Sequence, residues 1–207
     1  MFWIVSGSSS VGKSSFIESR SSSEITGLPA NTKVLFPQDQ GKNELVAATC
    51  YFHYNIFRCV DLLHGDLIRQ QSPRITELAQ PAYEDDPGWR AIVNRPGEKS
   101  AVVLVATRQT LLQRIRQRTV VEPTPLRSGM ELRYPSQYWE YLVGHVNLRQ
   151  FYLAWLSELT SRHIPYLLVD SSNHNYRSIT RREADELLSD SEPNYTKPQR
   201  EKLLREE

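Results

Sequence analysis

The feature that most constrains the fold is a glycine- and serine-rich stretch near the start of the chain, Gly7-Ser8-Ser9-Ser10-Val11-Gly12-Lys13-Ser14-Ser15. It follows an apolar run, residues 2–5, that suits a buried parallel strand. Residues 14–20 after it have the pattern of the start of a helix. The order of strand, loop and helix predicts an α/β fold, with this stretch at the point where the first strand ends.

The spacing within this stretch is that of a loop that binds phosphate: glycine, four residues, glycine, lysine and serine. Gly7 and Gly12 permit backbone angles that a side chain would forbid, so successive N–H groups can turn inward around an anion. We expect Lys13 to reach the outer phosphates and Ser14 to bind a magnesium ion, while the first turn of the helix favours the same anion. The candidate nucleotide-binding residues are Gly7, Ser8, Ser9, Ser10, Val11, Gly12, Lys13, Ser14 and Ser15.

The composition argues against several other kinds of protein. Hydrophobic residues make up 39% of the 207 residues and the formal net charge is +1, so no global basic field favours nucleic acid as a partner. No apolar run approaches the ~20 residues needed to cross a membrane, and no signal peptide is expected before the first strand. Two cysteines, Cys50 and Cys59, fit a reducing compartment. We therefore expect a cytoplasmic protein with no membrane partner.

The remaining pattern predicts a mostly parallel sheet with flanking helices. Further strands are expected at residues 33–36, 49–57, 101–106 and 165–170, although residues 49–57 are equally compatible with the start of a helix. Helices are expected from residue 14 to a serine run at 21–23, and at 62–70, 88–95, 108–118, 136–162 and 179–188. We expect one domain over residues 1–188 and a charged tail over residues 189–207.

Four features resemble, in their order along the chain, the P-loop kinases of small molecules, the nucleoside, nucleotide and shikimate kinase-like group. They are the glycine-rich loop, the strand 102–106 with its arginine-bearing helix, the proline-rich residues 120–133, and a late strand ending in Val169-Asp170. The resemblance covers most of residues 2–175. It implies a three-layer α/β/α P-loop fold with a lid-like segment at about residues 119–134. It also implies ATP and Mg²⁺ as cofactors and transfer of the γ-phosphoryl group to a hydroxyl acceptor.

Arginines in such kinases close over the transferred phosphoryl group, which implies this role for Arg114, Arg118 and Arg127. In a helix, Arg114 and Arg118 lie only about 40° apart around the axis, so both point along one edge. A guanidinium group suits the charge on phosphoryl oxygens. The alternative is that these arginines are simply solvated on an exposed helix surface.

The resemblance also implies an acid, after the strand that follows the loop, that orients or deprotonates the acceptor hydroxyl. Asp39 fits this position, and Asp61 and Asp66 are alternatives. Asp170 ends an apolar strand and could be a magnesium-holding acid, but by the same analogy its late position in the chain would place it near the nucleotide base. Strand 101–106 ends in Thr107-Arg108 where many ATPases have a magnesium-holding acid, which favours a kinase over a motor ATPase.

A second polar group, His53, Asn55 and Arg58, suits an acceptor-binding surface, although a half-buried strand with satisfied polar side chains has the same pattern. The acceptor itself, such as a nucleoside, a sugar or a related metabolite, has no short sequence signature. Two alternatives remain: a regulatory NTPase without a small-molecule acceptor, and a kinase of a nucleic-acid end. The sequence makes no prediction of oligomeric state.

Overall fold

A computed structural model describes residues 1–36, 49–121, 136–173 and 175–189 of the chain. Most of the predicted lid-like segment, residues 119–134, and nearly all of the predicted tail, residues 189–207, lie outside these ranges.

The described residues form both strands and helices. The strands are β1 (Phe2–Gly7), β2 (Val34–Leu35), β3 (Cys50–Asn55), β4 (Lys99–Val105), β5 (Tyr166–Asp170) and β6 (Arg177–Ile179). The helices are α1 (Lys13–Ile17), α2 (Arg20–Thr26), α3 (Arg58–Arg69), α4 (Ile75–Leu78), α5 (Pro87–Asn94), α6 (Arg108–Val121), α7 (Ser136–His145), α8 (Leu148–Ser161) and α9 (Arg181–Ser189). A short 3₁₀ helix, Tyr83–Asp85, precedes α5. None of the helices in the described ranges is long and apolar enough to cross a membrane.

The strands form one sheet in the order β2-β3-β1-β4-β5-β6, parallel except for the antiparallel β6. The prediction of an α/β fold with a mostly parallel sheet is therefore confirmed. From β1 the chain passes to β2 and β3 on one side and then to β4 on the other side. In open α/β sheets, ligands bind beyond the carboxyl ends of the strands where the strand order reverses in this way. The end of β1 is thus the favoured position for a binding site.

Helices pack against both faces of the sheet. Successive side chains of a strand point to opposite faces, so one strand can contact helices on both sides. On one face, the Tyr51 hydroxyl lies 2.7 Å from Thr26 Oγ1 of α2. On the other face, Tyr54 stacks on Trp155 of α8 with ring centroids 4.9 Å apart. Residues 101–106 are fully buried, as expected of a central strand covered on both sides.

The prediction that the first helix ends at the serine run 21–23 is wrong. Helix α1 ends at Ile17, and the serines lie inside a second helix, α2. The buried Ser22 hydroxyl lies 2.9 Å from the carbonyl oxygens of both Ile17 and Ser19. Serine hydroxyls can bond to backbone carbonyls of the preceding turn, so a serine run is compatible with a helix where such acceptors are buried beside it.

The prediction of one helix over residues 136–162 is also wrong. The chain forms α7 and α8 instead, with a break at Val146 and Asn147. The Asn147 side chain accepts a hydrogen bond from the Gln150 N–H (3.0 Å) and caps α8. The apolar spacing continues across the break, so the capping residue was the informative signal.

Candidate functional site

Residues 7–13, from the last residue of β1 to the first residue of α1, are here called the glycine loop. Its backbone has positive φ angles at Gly7 (+146°), Ser10 (+61°) and Gly12 (+95°). A Cβ atom at position 7 would lie 2.7 Å from the Leu104 carbonyl oxygen and 2.9 Å from Val11 Cγ1. Position 7 therefore requires glycine both for its backbone angle and for its close contact with β4.

The Lys13 side chain folds back over the start of the glycine loop. It is buried, with 5% of its surface exposed, and Nζ donates to the carbonyl oxygens of Gly7 (3.2 Å) and Ser8 (2.6 Å). A buried ammonium group needs such partners, because desolvation of a charge is costly. These bonds fix a positive charge against the loop.

Carbonyl groups in the second half of the glycine loop are held by neighbouring elements. The Val11 carbonyl accepts hydrogen bonds from Arg114 Nη1 of α6 (3.1 Å) and from the Ser171 hydroxyl after β5 (2.7 Å). The Gly12 carbonyl lies 3.4 Å from the Tyr176 hydroxyl. Burial raises the pKa of Tyr176, so this hydroxyl stays a donor at neutral pH. These contacts bind three separate segments of the chain to one loop.

Most N–H groups of the glycine loop, unlike these carbonyl groups, have no hydrogen-bond partner in the described part of the chain. The Ser8 N–H donates to the buried hydroxyl of Tyr152 (3.2 Å), so it faces the protein interior. Within the described ranges, no backbone or side-chain acceptor is found for the N–H groups of residues 9–12. Of the predicted phosphate cradle, residues 8–12, these four N–H groups are therefore the candidate donors to an anion.

Ser14 and Ser15 follow Lys13 in the first turn of α1, and both side chains are exposed. The Ser14 hydroxyl is thus accessible to a ligand beside the glycine loop. No three His, Cys, Asp or Glu side chains in the described part of the chain are grouped so as to hold a metal ion. Mg²⁺ commonly keeps several waters and needs few protein ligands, and its binding by Ser14 stays a prediction.

Of the predicted arginines, only Arg114 has a side chain that the structure describes. Arg114 lies in α6, and its guanidinium group donates to the carbonyls of Val11, Ser171 and Ser172. Arg114 therefore borders the glycine loop and contacts its backbone. Arg118 belongs to the same helix, but its side chain is outside the described part, as is Arg127. The action of these three arginines on a transferred phosphoryl group stays a prediction.

Asp170 ends β5 at the same edge of the sheet as the glycine loop, in register with Val105 of β4. Its Oδ1 atom accepts a hydrogen bond from the Ser172 N–H (2.8 Å), which shapes the turn after β5. Because Ser171 in that turn contacts Val11, the turn and the glycine loop are neighbours. The role of Asp170 toward a nucleotide base stays a prediction.

Two of the predicted acceptor-binding residues lie near the end of β3, next to β1. Asn55 is in register with Gly7, and its Oδ1 atom accepts from the Phe57 N–H (3.1 Å). The His53 ring lies two positions earlier on the same face of the strand, 5.1 Å from the Phe36 ring that follows β2. The structure therefore places Asn55 directly beside the first residue of the glycine loop.

Arg58, the third of these residues, begins α3 and is fixed by a buried carboxylate that the sequence did not single out. Asp86 has no exposed surface and accepts from Arg58 Nε (3.0 Å), the Tyr54 hydroxyl (2.8 Å) and the Gly88 N–H (2.8 Å). Burial and the nearby Asp86 charge raise the pKa of Tyr54 well above its ordinary value. The available signal was an aspartate before a proline, since Asp86 caps α5 and Pro87 opens it.

Of the predicted catalytic acids, the two that the structure describes have no contact with the glycine loop among their hydrogen bonds and ion pairs. Asp39 lies outside the described residues. Asp61 accepts a hydrogen bond from the Tyr138 hydroxyl, and Asp66 pairs with Arg69 on the surface of α3. In the described ranges, neither Asp61 nor Asp66 has a hydrogen bond or ion pair with the loop.

Comparison with known proteins adds no relative: no protein-family model matches the sequence, and no curated protein is significantly similar to it.

Proposed function

We propose that the protein is an ATP-dependent phosphotransferase with a P-loop kinase-like, three-layer α/β/α fold. It would move the γ-phosphoryl group to a hydroxyl of a small molecule such as a nucleoside, a sugar or a related metabolite. The observation that carries this proposal is the position of Lys13, whose ammonium group lies across a glycine loop at the end of the central strand. A fixed charge, a loop with positive φ angles and N–H donors that have no acceptor in the described part of the chain together suit a triphosphate.

Different residues of the glycine loop and of α1 would bind different parts of the nucleotide and its metal ion. On nucleotide binding, Lys13 Nζ would exchange carbonyl partners of the loop for β- and γ-phosphate oxygens. The N–H groups of residues 9–12 would donate hydrogen bonds to phosphate oxygens. Ser14 would contribute its hydroxyl to Mg²⁺, which neutralises charge on the β- and γ-phosphates when it is bound.

The acceptor is proposed to bind beside the end of β3. Asn55 lies next to Gly7 in the sheet, and Arg58 is 31% exposed at its side chain although Asp86 holds its Nε atom. A guanidinium group fixed at one nitrogen keeps its other N–H donors oriented, which suits recognition of an oxygen-bearing substrate. Asp39 remains the proposed base, with Asp61 and Asp66 as alternatives.

The test is a screen of hydroxyl compounds for ADP release from MgATP. We expect one class of compound to stimulate ADP release, with one phosphorylated product formed for each ADP. ADP release that no compound stimulates would instead support a regulatory NTPase. The absence of any ATP turnover or binding would contradict the proposal.

A further inference from the structure

A buried tyrosine of α8 lies directly under the glycine loop. Tyr152 has no exposed surface, and its hydroxyl accepts the Ser8 N–H (3.2 Å) while lying 2.8 Å from the Leu104 carbonyl oxygen. The phenol has one proton, and Leu104 offers the nearer acceptor, since Ser8 Oγ is 3.3 Å away. The hydroxyl thus joins the glycine loop to β4 through one accepted and one donated hydrogen bond.

The same helix also contacts the other side of Gly7. Trp155 lies three residues after Tyr152, on the same side of α8, and its Nε1 atom donates to Ser6 Oγ (2.9 Å). Helix α8 therefore bonds to the residues before and after Gly7. A Cβ atom at position 7 would come within 3.4 Å of the Tyr152 hydroxyl, which shows how closely the loop lies on this helix.

The Tyr152 hydroxyl has a directional effect on the loop. Because it takes the Ser8 N–H toward the interior, the peptide between Gly7 and Ser8 is held in one orientation, with its Gly7 carbonyl bonded to Lys13. Burial raises the pKa of Tyr152 to about 12, so the hydroxyl keeps its proton throughout the neutral range. A hydrogen bond between neutral groups in a buried site orients its partners without dependence on pH near neutrality.

We propose that Tyr152 is a positioning residue of the nucleotide site: its hydroxyl fixes the start of the glycine loop in the orientation that binds the triphosphate. The nucleotide part of this proposal rests on the proposed function. Tyr152 touches no substrate in this account and acts through Ser8 and Lys13.

The test compares Tyr152→Phe with Tyr83→Phe. Tyr83 is a matched control because it is also buried and its hydroxyl donates to a backbone carbonyl, that of Phe151 (3.2 Å), which is outside the glycine loop. Both changes remove one buried hydroxyl and keep the ring. Thermal unfolding first establishes a temperature at which both variants of the full chain are folded.

Two measurements follow. Amide hydrogen exchange, without nucleotide, should speed up about threefold to tenfold for a peptide covering the glycine loop in Tyr152→Phe, the change that loss of one such hydrogen bond corresponds to. Tyr83→Phe should leave that peptide unchanged. The dissociation constant for MgATP should rise by a similar factor in Tyr152→Phe and stay within about twofold of wild type in Tyr83→Phe.

The outcomes are distinguishable. Equal effects of the two variants on loop exchange, or no effect of Tyr152→Phe, would overturn the positioning role. Faster loop exchange with an unchanged MgATP dissociation constant would overturn its link to nucleotide binding. If the wild-type protein binds no triphosphate, the proposed function fails, while the exchange comparison still decides whether Tyr152 holds the loop.

Discussion

At the residue scale, Gly7 is constrained by its backbone angle, by a close contact with β4 and by two hydrogen bonds to its carbonyl. It ends β1, its φ angle is +146°, and the carbonyl of Leu104 leaves no room for a side chain. Its own carbonyl accepts hydrogen bonds from both Ile56 N–H (3.1 Å) and Lys13 Nζ (3.2 Å). A shift of Gly7 would therefore move β3, β4 and the lysine together.

Gly7→Ala is expected to lower the free energy of unfolding by about 2–4 kcal/mol, because it combines backbone strain with a clash against β4. MgATP binding should weaken in the folded variant as the loop shifts. Urea unfolding measures the first effect and an equilibrium titration the second.

Gly27→Ala separates strain from the clash. Gly27 also has a positive φ angle (+71°), but a Cβ atom there would meet nothing within 4 Å. This control should lose only about 1–2 kcal/mol and should bind MgATP normally. Equal losses in the two variants would show that the contact with Leu104 is unimportant.

At the scale of elements, Asp86 connects β3, α3 and α5 through Tyr54, Arg58 and Gly88. A buried carboxylate is stable only if its oxygens accept hydrogen bonds, and here three donors satisfy it. The same carboxylate holds the Arg58 side chain. Packing of the aromatic core and placement of a proposed acceptor-binding residue thus depend on one side chain.

Asp86→Asn is expected to lower the free energy of unfolding by about 2–4 kcal/mol, because the amide turns one acceptor into a donor and leaves Arg58 without its ion pair. Chemical denaturation is the measurement. Asp185→Asn is the control, since Asp185 pairs with Arg149 at the surface and should change stability by less than about 1 kcal/mol. Similar losses from both substitutions would contradict the structural role of Asp86.

Elements with a local signal were predictable from the sequence. Residues 101–106 are a continuous apolar run because β4 is covered on both faces, and the loop pattern is contiguous from Gly7 to Ser14. The break between α7 and α8 was harder to predict, because the apolar spacing of the sequence continues across Asn147, which caps α8. The helical serine run depends on buried acceptors such as the Ile17 carbonyl, which periodicity does not show.

At the scale of the whole molecule, the site is assembled from contacts that no short pattern contains. Ser8 and Tyr152 are 144 positions apart in the sequence, Val11 and Ser171 are 160 apart, and Val11 and Arg114 are 103 apart. The sequence predicted the loop and located Arg114 on a helix. It could not predict that α6, α8 and the turn after β5 meet at this loop, because that follows from sheet order and packing.

The central claim is that Lys13 binds the phosphates of a nucleoside triphosphate, and isothermal titration of MgATP into the wild-type protein and Lys13→Met tests it most directly. Lys99→Met is the matched control: Lys99 is partly buried and donates to the backbone carbonyls of Arg95 and Gly97, but it lies at the opposite end of the sheet, where β4 begins. We expect Lys13→Met to weaken MgATP binding by at least about a hundredfold, as loss of a charged hydrogen-bond partner on each of two phosphates implies. Lys99→Met should bind MgATP like the wild type. Equal affinity in wild type and Lys13→Met, or no binding by the wild type, would contradict the account.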